Sequence, residues 1–107
     1  MDAQFKKGVL ELCLLQLIAE GPKTPFDLLE ALAEPIGVNV NTIYPLLRRL
    51  ESEGRLTHQK HREGPHPPRK QFTLTEAGEE RLLYLKDMWR RLSDAVEQLL
   101  GGHEDEG

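Results

Sequence analysis

Three helical segments, a short basic hairpin and one long closing helix predict a mainly α (α+β) chain. Their order is that of a winged helix-turn-helix, with a two-stranded β-wing and a long C-terminal dimerisation helix. Three observations carry this expectation. Ile43, Leu46, Leu47 and Leu50 stand at i, i+3, i+4 and i+7, the apolar stripe of an amphipathic helix. A Gly/Pro-rich turn separates two β-forming runs. From Leu82 onward, apolar residues recur at alternating steps of three and four.

The first helix is expected from about Phe5 to Ala19. Val9, Leu10, Leu12, Cys13, Leu14, Leu15, Leu17 and Ile18 cover nearly its whole circumference, so it needs cover on every side. One face can meet the domain core and the other a second subunit. Gly21 and Pro22 end it. The second helix opens with Thr24 as N-cap, Pro25 at the first helical position and Asp27 at N3. Phe26, Leu29, Leu32 and Ala33 are its expected buried stripe, and Pro35 its stop. Asn39 caps the third helix, which ends at Gly54.

Residues 55–61 (RLTHQKH) and 70–74 (KQFTL) read as strands, joined by the turn REGPHPPR. Thr75 caps the last helix, with Glu76, Glu79 and Glu80 in its first turns. Leu82, Leu85, Trp89, Leu92, Val96 and Leu99 form an a/d seam roughly 27 Å long at 1.5 Å per residue. The expected organisation is a DNA-binding unit over 1–75, a dimerisation helix over 76–100 and a disordered acidic tail over 101–107.

The chain has 107 residues and a formal net charge of −4. That balance argues against indiscriminate nucleic-acid binding, but the charge is uneven. Residues 36–75 hold seven Lys/Arg and three acids, +4, while the flanks together carry −8. Such a basic middle is the footprint expected for a polyanion, although chance clustering on a solvated face gives the same count. Lys6 and Lys7 before an apolar run superficially copy a signal peptide. Glu11 and Gln16 interrupt that run, and no small-residue cleavage site follows. A soluble, cytoplasmic protein with no membrane partner is expected. The single cysteine, Cys13, reads as a buried, inert thiol rather than a redox sensor.

The third helix supplies the sharpest functional hint. Stepping 100° per residue from Ile43 puts Asn41, Pro45, Arg48 and Ser52 opposite the apolar stripe. Thr42, Tyr44 and Arg49 flank them. Amide, hydroxyl, phenol and guanidinium groups are those that bond base edges and phosphates. Pro45 would cost roughly 3 kcal/mol in a helix interior, yet it falls on this outward side, where water can satisfy the Asn41 carbonyl. Lys60, His61, Arg62, His66, Arg69 and Lys70 make the hairpin basic, with Glu63 the one acid among them. Such a hairpin can grip backbone phosphates. A solvated helix face with ordinary salt-bridging arginines is the plainer alternative.

The segments GVLELCLLQLIAEGP (8–22), NTIYPLLRRLESEGRL (41–56) and PPRKQFTLTEAGEERL (67–82) together resemble the PadR family of transcriptional regulators, the short kind with one C-terminal helix. The resemblance implies a homodimeric DNA-binding repressor whose C-terminal helices help form the dimer. It places Asn41, Thr42, Tyr44, Pro45, Arg48 and Arg49 on the recognition helix, and Arg69 and Lys70 in the wing. TPFDL (24–28) departs from the aromatic-glycine-aromatic pattern usual there. Trp89, the only tryptophan, sits mid-seam. Dimer core is its plain role. By resemblance, paired tryptophans of a dimer would bind a planar aromatic effector, with Phe5, Val9 and the seam residues lining the interface.

No Ser/His/Asp or Cys/His set, phosphate loop or carboxylate pair suggests an enzyme. No cofactor is expected, and His58, His61 and His66 lack the usual metal-ligand spacing. The sequence therefore points to a repressor on double-stranded DNA. The competing reading is a winged-helix protein-interaction or structural adaptor without DNA binding.

Overall fold

The computed structural model describes residues 3–101, with side chains from Gly8 onward. Four helices and two strands follow in the order α1 (Ala3–Ala19), α2 (Pro25–Ile36), α3 (Val40–Ser52), β1 (Leu56–His61), β2 (Arg69–Leu74) and α4 (Glu76–Leu99). The mainly α fold with a two-stranded antiparallel wing is as expected. The Phe5 side chain and the acidic tail beyond Gly101 lie outside the described residues.

The core forms where α1, α2 and α3 converge over the base of the hairpin. Leu14, Leu15, Leu28, Ile43, Leu47 and Leu50 are sealed from solvent, with Leu10, Ile18, Leu32, Val38, Leu56, Phe72 and Leu82 around them. Ile43, Leu47 and Leu50 are the expected inner stripe of α3, and Leu46 is half-buried. On α2 the stripe differs. Leu28 and Leu32, one turn apart, face the core, while Phe26 is 61 % exposed and Ala33 lies outside too. Leu32 is buried as expected and Leu29 packs half-buried against the core, but packing on α1 and α3 turns the stripe toward Leu28 and away from Phe26 and Ala33.

That cap is a full capping box. Thr24 Oγ1 accepts the Asp27 amide at 3.0 Å, and an Asp27 carboxylate oxygen accepts the Thr24 amide at 2.9 Å. Pro35 does not stop α2, contrary to expectation. The helix continues to Ile36, with Pro35 exposed on the rim of an open groove lined also by α1 residues and Lys86. It ends at Gly37, which adopts φ 80° and ψ 40° and donates its amide to the Leu32 carbonyl.

The hairpin pairs Leu56 with Leu74, His58 with Phe72 and Lys60 with Lys70. A further contact, unanticipated from sequence, ties its base to the residues leading into α2. Lys23 and Phe72 exchange two backbone hydrogen bonds, at 3.1 and 2.8 Å. The start of α2 is thereby fixed to the wing. At the other end, Thr75 caps α4 by accepting the Gly78 amide. Gly78 lies so close to the Arg55 carbonyl that a Cβ there would sit 2.1 Å from its oxygen. The first turn of α4 therefore rests directly on the corner between α3 and β1. Beyond it α4 projects outward, giving the molecule extents of 62 × 28 × 22 Å. Among the described residues, no helix is long and apolar enough to cross a membrane.

Candidate nucleic-acid interface

The cap of α3 aims its first turn outward. Asn39 takes an extended conformation and its Oδ1 accepts the Asn41 amide at 2.9 Å. The amides of Thr42 and Ile43 reach the Asn39 carbonyl at 3.0 and 3.2 Å. These bonds use much of the helix's N-terminal donor capacity internally, so its anion affinity rests more on side chains than the sequence suggested. Asn41, Thr42, Tyr44, Pro45, Arg48 and Arg49 are all exposed. Pro45 is on the outer side, as its position in the stripe required.

Lys60, Arg62, His66, Arg69 and Lys70 are exposed on the hairpin. Register sharpens what they do. Lys60 lies directly across from Lys70, and His61 across from Arg69. Like charges in opposed positions weaken a sheet, so the wing concentrates positive charge at some expense to its own pairing. Arg62 also shapes the tip, donating from Nε to the His66 carbonyl at 3.2 Å. His58 lies nearer the base of the hairpin. It pairs with Glu51 of α3 and packs on Phe72, ring centroids 5.5 Å apart. Among the described residues, no group of three or more His, Cys, Asp or Glu could hold a metal.

The α3 helix and the wing are brought together across a groove of about 520 Å³. Tyr44 lines it from α3, Arg69 and Lys70 from β2, and Thr24, Pro25 and Phe26 from the start of α2. Sequence reasoning missed Pro25 and Phe26 here. The available signal was the aromatic one residue after Pro25, which the helical wheel had assigned to the core.

Arg49 is not a free cation. Its Nη2 donates to Glu11 Oε1 at 3.0 Å and its Nη1 to Glu53 at 3.1 Å. Glu11 Oε2 in turn accepts Arg81 Nε of α4 at 2.9 Å. Burial pushes the Glu11 carboxyl up, but hydrogen bonds and charge from Arg81 and Arg49 outweigh it and hold it below its usual value. The Glu11 hydrogen bond raises the Arg49 guanidinium further, against a smaller opposing effect of burial. Arg48 is exposed and has no carboxylate partner among the described residues, so it is the freer of the two for an external anion.

The expected interface residues divide. Val9, Leu85, Trp89 and Leu92 line one groove of about 310 Å³ between α1 and α4, together with Gly8, Leu12 and Met88. Trp89 is 46 % exposed there. Leu82 departs from expectation: at 6 % exposure it belongs to the protomer's own core, because the first turns of α4 dock on the winged domain. Val96 and Leu99 lie further along the projecting arm and are exposed, as are Leu83, Tyr84 and Leu100. Cys13 is half-buried, and burial pushes its thiol up, away from the reactive thiolate.

Comparison with known proteins fits this geometry. The family model described as "Transcriptional regulator PadR-like family" matches residues 14–83. No curated protein matched. A Streptococcus transcriptional regulator is similar at 35% identity, with 92% of this chain and 98% of that one covered and a TM-score of 0.83. A PadR-like transcriptional regulator from Bacillus cereus is similar at 32% identity over 91% of this chain and 96% of that one, TM-score 0.84. Bacillus subtilis PadR, solved in complex with operator DNA, is similar at 29% identity over 69% of this chain and 45% of that one, TM-score 0.61. These are transcriptional regulators and not enzymes, and this chain belongs to the PadR-like family of transcriptional regulators.

Proposed function

We propose that the protein is a cytoplasmic, sequence-specific DNA-binding repressor that acts as a homodimer on a partly palindromic operator. The observation that carries this is the joining of α3's exposed polar face to a like-charged wing across one groove. In this reading Asn41, Thr42, Tyr44, Pro45 and Arg48 meet the major groove. Arg49 contributes what its carboxylate partners leave open, and Lys60, Arg62, His66, Arg69 and Lys70 hold adjacent backbone. The operator complex of the Bacillus subtilis relative supports it. Two-fold symmetry sets half-sites about one helical turn apart, roughly 34–36 Å.

The α4 arm is the proposed dimerisation element, since its exposed apolar residues have no cover within one protomer. The α1–α4 groove with Trp89 is the proposed seat of a planar hydrophobic effector, which would shift the two recognition helices and release the operator. The test is binding to host genomic fragments at two salt concentrations. Affinity should fall steeply with salt yet keep a preferred sequence. Arg48→Ala should then cost about 1–3 kcal/mol on the preferred site. Absence of binding at every salt concentration would sink the DNA reading and leave the adaptor alternative standing.

A further inference from the structure

One buried carboxylate joins the two working ends of the chain. Glu11 lies on α1 with its side chain only 10 % exposed. It splits its two oxygens between different helices: Oε1 takes Arg49 from the last turn of α3, and Oε2 takes Arg81 from the second turn of α4. Each arginine has a second partner. Arg49 is held from the other side by Glu53, and the Arg81 guanidinium lies over the Tyr84 ring at 5.4 Å from its centroid. A carboxylate in an apolar helix is costly to bury. Replacing a buried ion pair by apolar residues is often neutral or stabilising, and the better-attested benefit of such pairs is a unique arrangement of the elements they join.

We propose that Glu11 is a positioning residue that fixes the angle of the recognition helix α3 against the dimer arm α4. The inference rests on the DNA reading of α3 and the dimer reading of α4. Two half-sites are read together only if both recognition helices keep a set spacing about the dimer axis. In each protomer Glu11 spans the two helices that define this spacing. Any ligand that tilts α4 pulls on Arg81, and through Glu11 on Arg49, by a path of two charge-assisted hydrogen bonds. Non-specific binding needs no fixed spacing, because it depends on the summed positive charge of the face.

The experiment compares wild type, E11Q, R81Q and the double variant. Glutamine keeps the volume of Glu11 and removes its charge. Arg81 stands on α4, away from the proposed DNA face, and can be changed without touching a DNA contact. Dissociation constants are measured by fluorescence anisotropy on a duplex selected from genomic fragments by the wild type, and on a random duplex of equal length. Melting temperature and dimer mass are recorded alongside. The expected result is a fall of about tenfold in the ratio of specific to random affinity for each single variant, with the double no worse than the weaker single. R81Q alone decides if E11Q does not fold. A selective wild type whose ratio is unchanged in these variants, whatever their melting temperatures, overturns this inference alone. A wild type with no preference for any duplex overturns the DNA reading and this inference with it.

Discussion

The α3–wing face and the α4 arm both leave side chains open to solvent, and they do so in opposite chemistry. The face exposes amides, hydroxyls, lysines and arginines on a scaffold whose hydrophobic core is complete beneath it. The arm exposes Leu83, Tyr84, Met88, Trp89, Leu92, Val96, Leu99 and Leu100, with no core of its own. Water solvates the first region well and the second poorly. The face can wait for its partner as a folded monomer surface, whereas the arm needs apolar cover to be stable. This contrast teaches that the proposed DNA-facing surface is organised within one protomer, while the arm carries apolar residues that one protomer leaves uncovered.

The joint between the two regions should be the most sensitive point. Gly78→Ala would drive a Cβ to 2.1 Å from the Arg55 carbonyl oxygen, a backbone atom that cannot swing aside. Either α4 lifts off the α3–β1 corner or the corner distorts. A loss of more than about 4 kcal/mol is expected, in the range reserved for a specific steric failure. Thermal unfolding followed by circular dichroism would read it. A melting temperature within a few degrees of wild type would show that α4 docks less rigidly than the geometry demands.

Trp89→Ala separates the regions from the other side. It removes the largest side chain from the α1–α4 groove while leaving the core beneath α3 untouched. An effect on the order of 2 kcal/mol on association, about thirtyfold in the dimer Kd, is expected for a central aromatic. Sedimentation at a series of concentrations measures it. If the dimer holds and a planar aromatic dye still binds equally well, Trp89 has neither proposed role.

Much of this division was legible in the sequence. The α3 stripe predicted which of its side chains face outward, and the Gly/Pro turn between residues 61 and 70 predicted the hairpin, though not its register. Leu82 was not legible, because an a/d spacing does not say whether a helix's first turns meet its own domain or a second chain. Phe26 was misplaced for a related reason: in α2, Leu28 and Leu29 compete for the same wheel, and only packing against α1 and α3 fixes the rotation. Pro35 misled because an exposed proline late in a helix removes one bond without breaking the turn. Glu11 was in plain view. A lone acid in an apolar helix implies cationic partners, but Arg49 and Arg81 lie 38 and 70 residues away, and only folding brings them to it.

Acid should test the Glu11 connection between the regions with a sign fixed by its environment. Its carboxyl is held below the ordinary value of 4.5 in the folded state. The unfolded chain therefore takes up the proton first as pH falls. The stability contributed by the two arginine pairs is fully present above pH 4.5 and declines through the acid range below it. In E11Q that part of the decline should vanish. Urea midpoints measured from pH 6 downward would show the two proteins converging. Parallel curves would mean that Glu11 is not protonated differently in the two states.

The smallest predicted effect probes whether the wing's charge is placed against its own stability. Lys60 and Lys70 are opposed across the hairpin. Lys70→Thr replaces a like-charge pair by a β-branched residue suited to a strand. The free protein should gain a few tenths of a kcal/mol, within the roughly 0.2–1 kcal/mol of a cross-strand pair. The gain should shrink as salt screens the repulsion. DNA affinity should move the other way, with the slope of log affinity against log salt falling by about one phosphate contact. A wing shaped only for folding would show no such opposition, since removing its repulsion would improve the protein in every assay. Opposite signs in the two measurements would mean that the hairpin keeps its lysines for an anion outside the chain. That is the property separating the face from the arm, whose exposed apolar residues have nothing to gain from DNA.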